Sequence, residues 1–314
     1  MNKKVVIIGG GTGMSTLLKG VKNFPIDISA IVSVCDDGQS TGILRREFHT
    51  PAVGDIRKVI AALSETEPLF EDMLQYRFKS GVGLKGHTVG NILLTALSDI
   101  TGSMSNGIEA LSNVLKLKGK VIPLTEDNVT LMAEMDDGTI VEGEHNITES
   151  LKKIKKVYYK KNPEVNLEAI KAIKEADLII LSMGSIYTSI MPNLICEDII
   201  KTIDKSKSKV MYICNMMTQP GETDGFKVSD HLKKIDEVLG HHKIDVAIVN
   251  DGKIDSKICK KYQTKEQKDI VICDKENLKN KEIIYDDLVV IDNEIIRHDS
   301  IKVAFLIFSY LLKL

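Results

Sequence analysis

Net charge is what this sequence most plainly lacks: 42 Lys and Arg stand against 44 Asp and Glu, leaving −2 over 314 residues. With a pI near 6.4, the chain exerts no bulk attraction on nucleic acid or an anionic membrane, and no nucleic-acid partner is expected. The local exceptions are short. Lys152-Lys153, Lys155-Lys156 and Lys160-Lys161 read as the solvated face of a helix and its end. Long apolar runs are missing too. The first ends at Gly9 after four residues, short of a signal-peptide core, and Val303 to Leu312 is about half of what a bilayer requires, so no membrane span is expected.

Cysteine is scarce: five residues, at 35, 196, 214, 259 and 273, odd in number and without the close pairing of a metal site. This argues against a disulfide framework and predicts a reduced, cytoplasmic compartment. Nucleophile motifs are absent as well. There is no Gly-x-Ser-x-Gly elbow, no His-Glu-x-x-His pair and no cysteine in a glycine-rich loop beside a histidine, so no catalytic residue is assigned. Neither internal repeats nor low-complexity linkers interrupt the chain. Its 43% hydrophobic and 27% charged residues describe an ordinary globular protein, read most economically as a single α/β domain over 1–314.

What is present is concentrated in the first turn. Val5 to Ile8 is a branched apolar run suited to a strand buried on both faces, and Gly9-Gly10-Gly11-Thr12-Gly13-Met14-Ser15 follows it directly. Met14, Leu17, Leu18 and Val21 recur at helical spacing, which predicts strand, glycine loop and helix. Such a turn aims backbone N–H groups and the positive end of a helix at one point, where phosphate is the natural guest. Gly10, Gly11, Thr12 and Gly13 are therefore candidate phosphate ligands. Two familiar fingerprints are missing. Met14 or Thr16 stands at the third glycine of the dinucleotide pattern, and no Gly-Lys-Ser or Gly-Lys-Thr ends the loop.

A second strand, Ile28 to Val34, ends in Cys35-Asp36-Asp37-Gly38-Gln39-Ser40, where the acidic residues either hydrogen-bond a ribose or cap the next turn. Asp55 is placed to cap a helix carrying Ile56, Val59, Ile60 and Leu63. Arg57 lies in its first turn, with structural and ligand roles both open. Leu69, Phe70, Met73, Leu74 and Phe78 mark a further helix. The apolar period that starts at Val89 puts His87 and Thr88 at a helix N-terminus, a second candidate anion site next to Asn91.

From 119 to about 148, strand-like segments and the turn signal Asp136-Asp137-Gly138 predict an inserted antiparallel β-ribbon, a lid or a subunit contact. Strands Leu178 to Leu181, Val210 to Cys214 and Asp245 to Val249 then run into Ser182 to Asn193, Asn215 to Thr223 and Asn250 to Gly252. Weaker strands are expected near Ile270 to Cys273 and Leu288 to Ile291, in a tail over 253–314 that carries no recognisable chemistry.

Five predicted parallel strands thus lead into polar loops, and such loops share one sheet edge, where ligands bind at the reversal of strand order. The expected fold is α/β: a doubly wound, mostly parallel, Rossmann-like three-layer sheet with an inserted antiparallel ribbon. A micromolar ligand needs about 8 kcal/mol and a helix terminus supplies about 0.3–1 kcal/mol, so several charge-assisted bonds of about 1.5–3 kcal/mol must add. Arg45, Arg46 or Arg57 would have to help. Asp36 and Asp37, if about 4 Å apart, would repel by about 4 kcal/mol. Either a divalent cation such as Mg2+ bridges them to phosphates, with Asp36 the candidate metal ligand, or they contact sugar and base.

Together the motifs resemble the bacterial gluconeogenesis factors (uncharacterised protein family 0052), which are similar in fold to 2-phospho-L-lactate transferase. The resemblance rests on Gly9 to Ser15, Asp36-Asp37-Gly38 with Ser40, Gly54-Asp55-Ile56-Arg57 and Gly86-His87-Thr88-Val89-Gly90-Asn91. It continues through Gly184 to Ser189 and Asn215 to Thr223, and does not cover the tail beyond 252. It implies a UDP-sugar such as UDP-N-acetylglucosamine as ligand, and a need for the protein in cell shape and cell-wall synthesis during growth on gluconeogenic carbon sources. It implies no required cofactor and brings no established activity. The transferase relatives imply the alternative, Mg2+-dependent transfer of a phospholactyl group from a nucleotide-linked donor to a deazaflavin precursor.

Carried over by position, Gly10 to Gly13 and Ser185, Thr188 and Ser189 would hold phosphates, Asp36 would sit near sugar or metal, and Asn215, Thr218 and Glu222 would complete the pocket. Asp37, Ser40, Asp55, Arg57, His87, Asn91 and Asn193 join them as candidate ligands. A homodimer and cell-wall regulatory proteins are the expected partners. The chain departs from the family pattern at Gln39, usually Gly, and at Ser182-Met183, usually Gly-Pro, so ligand choice or affinity is expected to differ. A dinucleotide-dependent oxidoreductase ranks last because of Met14.

Overall fold

Both faces of the first strand are covered, as its unbroken apolar run requires: Val5 and Val6 are 1% exposed, and Ile7 and Ile8 are fully buried. The computed structural model describes residues 2–292 and 294–314. In chain order, β1 (Lys3–Gly9) turns into α1 (Gly11–Val21) and β2 (Ile26–Val32) follows. A helical stretch then runs through α2 (Gln39–Phe48), α3 (Gly54–Leu63), α4 (Pro68–Gln75), α5 (Val89–Thr101) and α6 (Met104–Leu115) to β3 (Lys120–Pro123). β4 (Leu131–Met135), β5 (Ile140–Glu142), α7 (Glu144–Glu149) and β6 (Ile154–Tyr159) make an excursion. The alternation resumes with α8 (Leu167–Glu175), β7 (Leu178–Leu181), a π-helical turn at Ile186–Ile190, α9 (Met191–Leu194), α10 (Glu197–Lys205), β8 (Lys209–Ile213), α11 (Val228–Asp236) and β9 (Val246–Asn250). The tail holds α12 (Ser256–Glu266), β10 (Glu282–Asp286), β11 (Val289–Asp292), β12 (Ile295–His298) and α13 (Ser300–Leu311).

The main sheet has seven strands in the order β10-β9-β8-β7-β1-β2-β3, every neighbouring pair parallel. The doubly wound architecture expected from the alternation is therefore present. Strand order reverses between β1 and β7, where Val5 faces Leu178 and Ile8 faces Leu181. The loops after β1 and β7 diverge from this point, which makes it the crevice of the fold.

The antiparallel excursion differs in extent from the expected 119–148. Its sheet has three strands in the order β5-β4-β6, so it reaches Tyr159, while β3 belongs to the main sheet beside β2. The lysine runs do not form the helix face expected of them. They lie in and beside β6, where Lys155 and Lys156 meet Glu134 at 2.6 and 3.1 Å and Lys160 meets Glu142 at 2.8 Å. A register shift between Glu134 and Met135 disturbs the alternation that would have marked the strand. The helix expected to reach Phe78 stops at Gln75, and only Leu74 of α4 is buried. In the tail, the Ile270 to Cys273 segment forms only isolated bridges, through Ile270 and Ile272. The segment near Leu288 to Ile291 is β11, paired with β12. β10, which the sequence did not announce, closes one edge of the main sheet.

Candidate functional site

The glycine turn places two features side by side. Gly11 adopts φ +66°, which frees the chain to turn straight into α1, and no side chain caps that helix. The first-turn N–H groups therefore have no intrahelical partner and point into the crevice. Gly13 permits the closest approach in the site: a Cβ built there would lie 1.8 Å from the Met183 carbonyl oxygen. The loop after β7 thus packs directly on the start of α1. On the opposite side stands Asp55. A Cβ on Gly10 would lie 2.7 Å from its Oδ2, and Lys58 Nζ donates to its Oδ1 at 2.9 Å. Asp55 does not cap α3 as expected, since Val53 is the N-cap and Asp55 lies one step inside the first turn.

The loop after β7 is organised by Ser185. Its Oγ accepts from the Thr188 N–H at 3.0 Å and from Thr188 Oγ1 at 2.8 Å, and donates to Glu222 Oε2. The Tyr187 N–H reaches the same carboxyl oxygen at 3.4 Å. Glu222 Oε1 is buried without a partner. Burial pushes its pKa up to about 7, against the lowering effect of those donors. Asn215 clamps the loop from β8: Oδ1 accepts from the Gly184 N–H at 2.9 Å and Nδ2 donates to the Gly184 carbonyl at 2.6 Å. Asn193 ties the first and fourth sheet loops together, donating to the Gly9 carbonyl at 3.2 Å and to that of Ser189 at 2.9 Å.

The two aspartates after β2 diverge. Asp36 Oδ1 accepts from the Gly38 N–H at 3.0 Å and Oδ2 from Thr41 Oγ1 at 2.9 Å. Burial, and then the charge of Asp55, raise its pKa. Asp37 turns to the N-terminus of α7, where it accepts from the His145 N–H at 2.8 Å. The expected repulsion between Asp36 and Asp37 is replaced by a cluster that sequence reasoning missed. Glu144, one residue before His145, has its pKa pushed up to about 8 by burial and by the charges of Asp36 and Asp55.

A second polar network leads from His87 to Asp36. His87 Nδ1 lies 3.1 Å from Ser40 Oγ, and Asn91 Nδ2 donates to Ser40 Oγ at 3.2 Å and to Thr41 Oγ1 at 3.4 Å. Arg57 Nε donates to Asn91 Oδ1 at 2.9 Å, and its guanidinium also engages Gln75 Oε1 and the Leu74 carbonyl. Arg45 is spent on Asn128 and on the carbonyls of Cys35, Asp36 and Val129. Arg45 and Arg57, two of the three arginines offered as aids to ligand binding, hold loops together here, which is the structural role left open for Arg57. Thr218, in the loop after β8, bonds to the tail. Its N–H and Oγ1 pair with Asp269 at 2.8 and 2.9 Å, which fastens the tail.

Thr12 opens instead onto a cavity of about 660 Å3 shared with Ser15, Lys19, Lys58 and the tail residues Arg297 and His298. The tail was expected to carry no chemistry, yet it supplies a cation to the wall beside the glycine loop. His298 is held neutral by burial, its pKa pushed down to about 4, and its Nε2 donates to the Cys214 carbonyl at 3.0 Å. The only local signal for this corner was Asp299-Ser300, a helix start that α13 uses, with Asp299 accepting from the Lys302 N–H at 2.9 Å.

Thiol chemistry has no foothold here. Burial pushes the Cys35 thiol up to about 11 and Cys196 to about 12, and raises Cys214 further. For a metal, no group of three or more His, Cys, Asp or Glu side chains is placed to hold an ion among the described residues. Each oxygen of Asp36 already has a protein donor, and Asp55 bears Lys58. This donor set fits Mg2+ only as an ion shared with a ligand's phosphates, one carboxylate supplying an oxygen and water the remainder.

Known proteins share this arrangement along nearly the whole chain. The family description of 2-phospho-L-lactate transferase CofD matches residues 5–289. The gluconeogenesis factor of Bacillus subtilis is 45% identical over 311 residues, 98% of each chain. That of Halalkalibacterium halodurans is 45% identical over 305 residues, 96% of this chain and 94% of the relative. A crystal structure of a upf0052 family member from Bacillus halodurans superposes with a TM-score of 0.94 at 44% identity, covering 98% of this chain and 99% of that one. The similarity extends through the tail, beyond the reach of the motifs. The chain belongs to the 2-phospho-L-lactate transferase CofD family and, within it, to the gluconeogenesis factors.

Proposed function

We propose that the chain is a UDP-sugar-binding regulatory protein, with UDP-N-acetylglucosamine as the type ligand, that serves cell shape and cell-wall synthesis during gluconeogenic growth. It acts in the cytoplasm as a homodimer, together with regulatory proteins of wall synthesis. The observation that carries this reading is the uncapped start of α1 meeting the Ser185–Ser189 turn at the reversal of strand order. In this reading the N–H groups of Gly10, Gly11 and Gly13 hold the diphosphate, and Ser189, Lys58 and Arg297 complete its surroundings. Asp36, held by Thr41, and Asp55, held by Lys58, accept from sugar hydroxyls. Asn193 and Asn215 hold the loops in register and Thr12 lines the entrance.

Calorimetric titration with UDP-N-acetylglucosamine, UDP and GDP, in Mg2+ and in EDTA, tests it. The UDP-sugar is expected to bind in both conditions, at least tenfold tighter than GDP. Absence of binding by any nucleotide sugar at millimolar concentration overturns the reading.

A second reading, Mg2+-dependent phospho-group transfer from a nucleotide-linked donor, is favoured by the CofD match and by Glu222, whose carboxyl keeps its proton close to neutral pH. An ion shared with the donor's phosphates would neutralise charge there. This reading expects GDP-type ligands to bind only with Mg2+ and Asp36→Asn to abolish turnover. No turnover with any such donor removes it.

A further inference from the structure

Between α3 and α5 the chain makes an excursion that turns six large apolar side chains outward. On α4, Leu69, Phe70 and Met73 are 74%, 45% and 38% exposed, and on the following loop Tyr76, Val82 and Leu84 are 51%, 106% and 43% exposed. α4 itself turns only Leu74 inward. A lone exposed apolar side chain is unremarkable, but six within one stretch of chain form a surface that water disfavours. A large side chain carries about 150–250 Å2, so these exposures sum to several hundred Å2, the scale of the roughly 800 Å2 that one partner contributes to a standard interface.

We propose that this surface is where a second copy of the chain docks, by a two-fold axis that sets α4 of one copy against the 76–86 loop of the other. Charge decides in favour of a second copy. Glu67 and Asp72 flank the apolar residues of α4, and Lys79 and Lys85 flank those of the loop. All four are exposed, and none makes an ion pair among the described residues, unlike Glu65 and Glu71, which pair with Lys118 and Lys19. A surface with an acidic half and a basic half is complementary to itself after a two-fold rotation. The inference assigns a surface to the homodimer of the preceding reading and rests on that assembly, but not on the identity of the ligand.

Sedimentation velocity on the full chain tests it, with two double variants: Glu67→Lys with Asp72→Lys, and Lys79→Glu with Lys85→Glu. Wild type is expected to sediment as a dimer at micromolar concentration. Each double variant alone should weaken dimerisation at least tenfold, because like charges then face each other. An equimolar mixture of the two should sediment as a dimer again, since both contacts of the hetero-pair regain opposite charges. Exchange between these exposed positions leaves Leu74 in place, and circular dichroism checks that both variants are folded. A wild type that stays monomeric overturns both the dimer and its surface, while leaving nucleotide-sugar binding to be judged by titration. Double variants that dimerise like wild type overturn the surface alone, and loss of the dimer in Phe305→Glu would place the contact on α13 instead.

Discussion

Gly13 and Glu222 show how much a single position in this crevice decides. A methyl group on Gly13 would meet the Met183 carbonyl at 1.8 Å, and a backbone atom cannot swing aside as a flexible side chain does. Gly13→Ala is therefore expected to destabilise the protein by about 1–3 kcal/mol, the range of an overpacked core, visible as a lowered Tm in thermal denaturation. Glu222 acts through its charge. With its pKa at about 7, it is mostly neutral at pH 6 and mostly ionised at pH 8, and its charged form repels an anionic diphosphate. UDP-sugar affinity is expected to fall several-fold across that interval in wild type and to stay flat in Glu222→Gln, measured by titration at each pH. The glycine loop was legible in the sequence because a glycine turn is a local device. The roles of Arg45 and Arg57 were not, because their partners, Asn128 and Asn91, lie far along the chain and nothing near either arginine announces them.

At the scale of elements, the excursion over β4 to β6 is fastened through β6, where Tyr159 Oη donates to the Pro192 carbonyl at 2.7 Å and the Ile154 N–H to that of Gly221 at 3.2 Å, and through α7, whose His145 N–H donates to Asp37. Glu144 beside it sits against Asp36 and Asp55. Removing the acceptor should free α7 without disturbing the main sheet. Asp37→Ala is expected to raise hydrogen exchange at least tenfold over α7, residues 144–149, while β1, β4, β6 and β7 keep their protection. The main strands were readable from unbroken apolar runs such as Leu178 to Leu181. β6 and β10 were not, because cross-strand lysines and polar ends hide a short strand in what looks like solvated sequence. The tail's strands likewise carry too few apolar residues to declare which sheet they join.

Across the whole molecule, stability should depend on pH in a direction opposite to that of most carboxylate-rich proteins. Burial raises Glu222 from 4.5 to about 7 and Glu144 from 4.5 to about 8. The native glutamates therefore hold protons that the unfolded chain has lost, while His231 and His298, pushed down to about 4 by burial, offset this below about pH 6.5; stability falls as pH rises from about 6.5 to about 8, then levels. Urea denaturation at pH 6 and pH 9 is expected to show the lower midpoint at pH 9, with the difference halved or better in Glu144→Gln combined with Glu222→Gln. The parallel, doubly wound sheet was foreseeable from the alternation of strands and helices, and so was the edge on which the polar loops meet. That the tail returns to that edge was not, since the return depends on contacts between residues hundreds of positions apart.

That return has a consequence in time. The Ser300 carbonyl lies 1.9 Å from where a Cβ on Gly20 would stand, so α13 rests against α1, the first helix made. On the ribosome the glycine loop emerges early, and Arg297 and the adjoining wall of the cavity emerge only near the end. A nascent chain can thus complete most of its sheet and still possess an open, half-built pocket. Under the proposed function, ligand is expected to stabilise the chain only after Arg297 has joined the cavity wall.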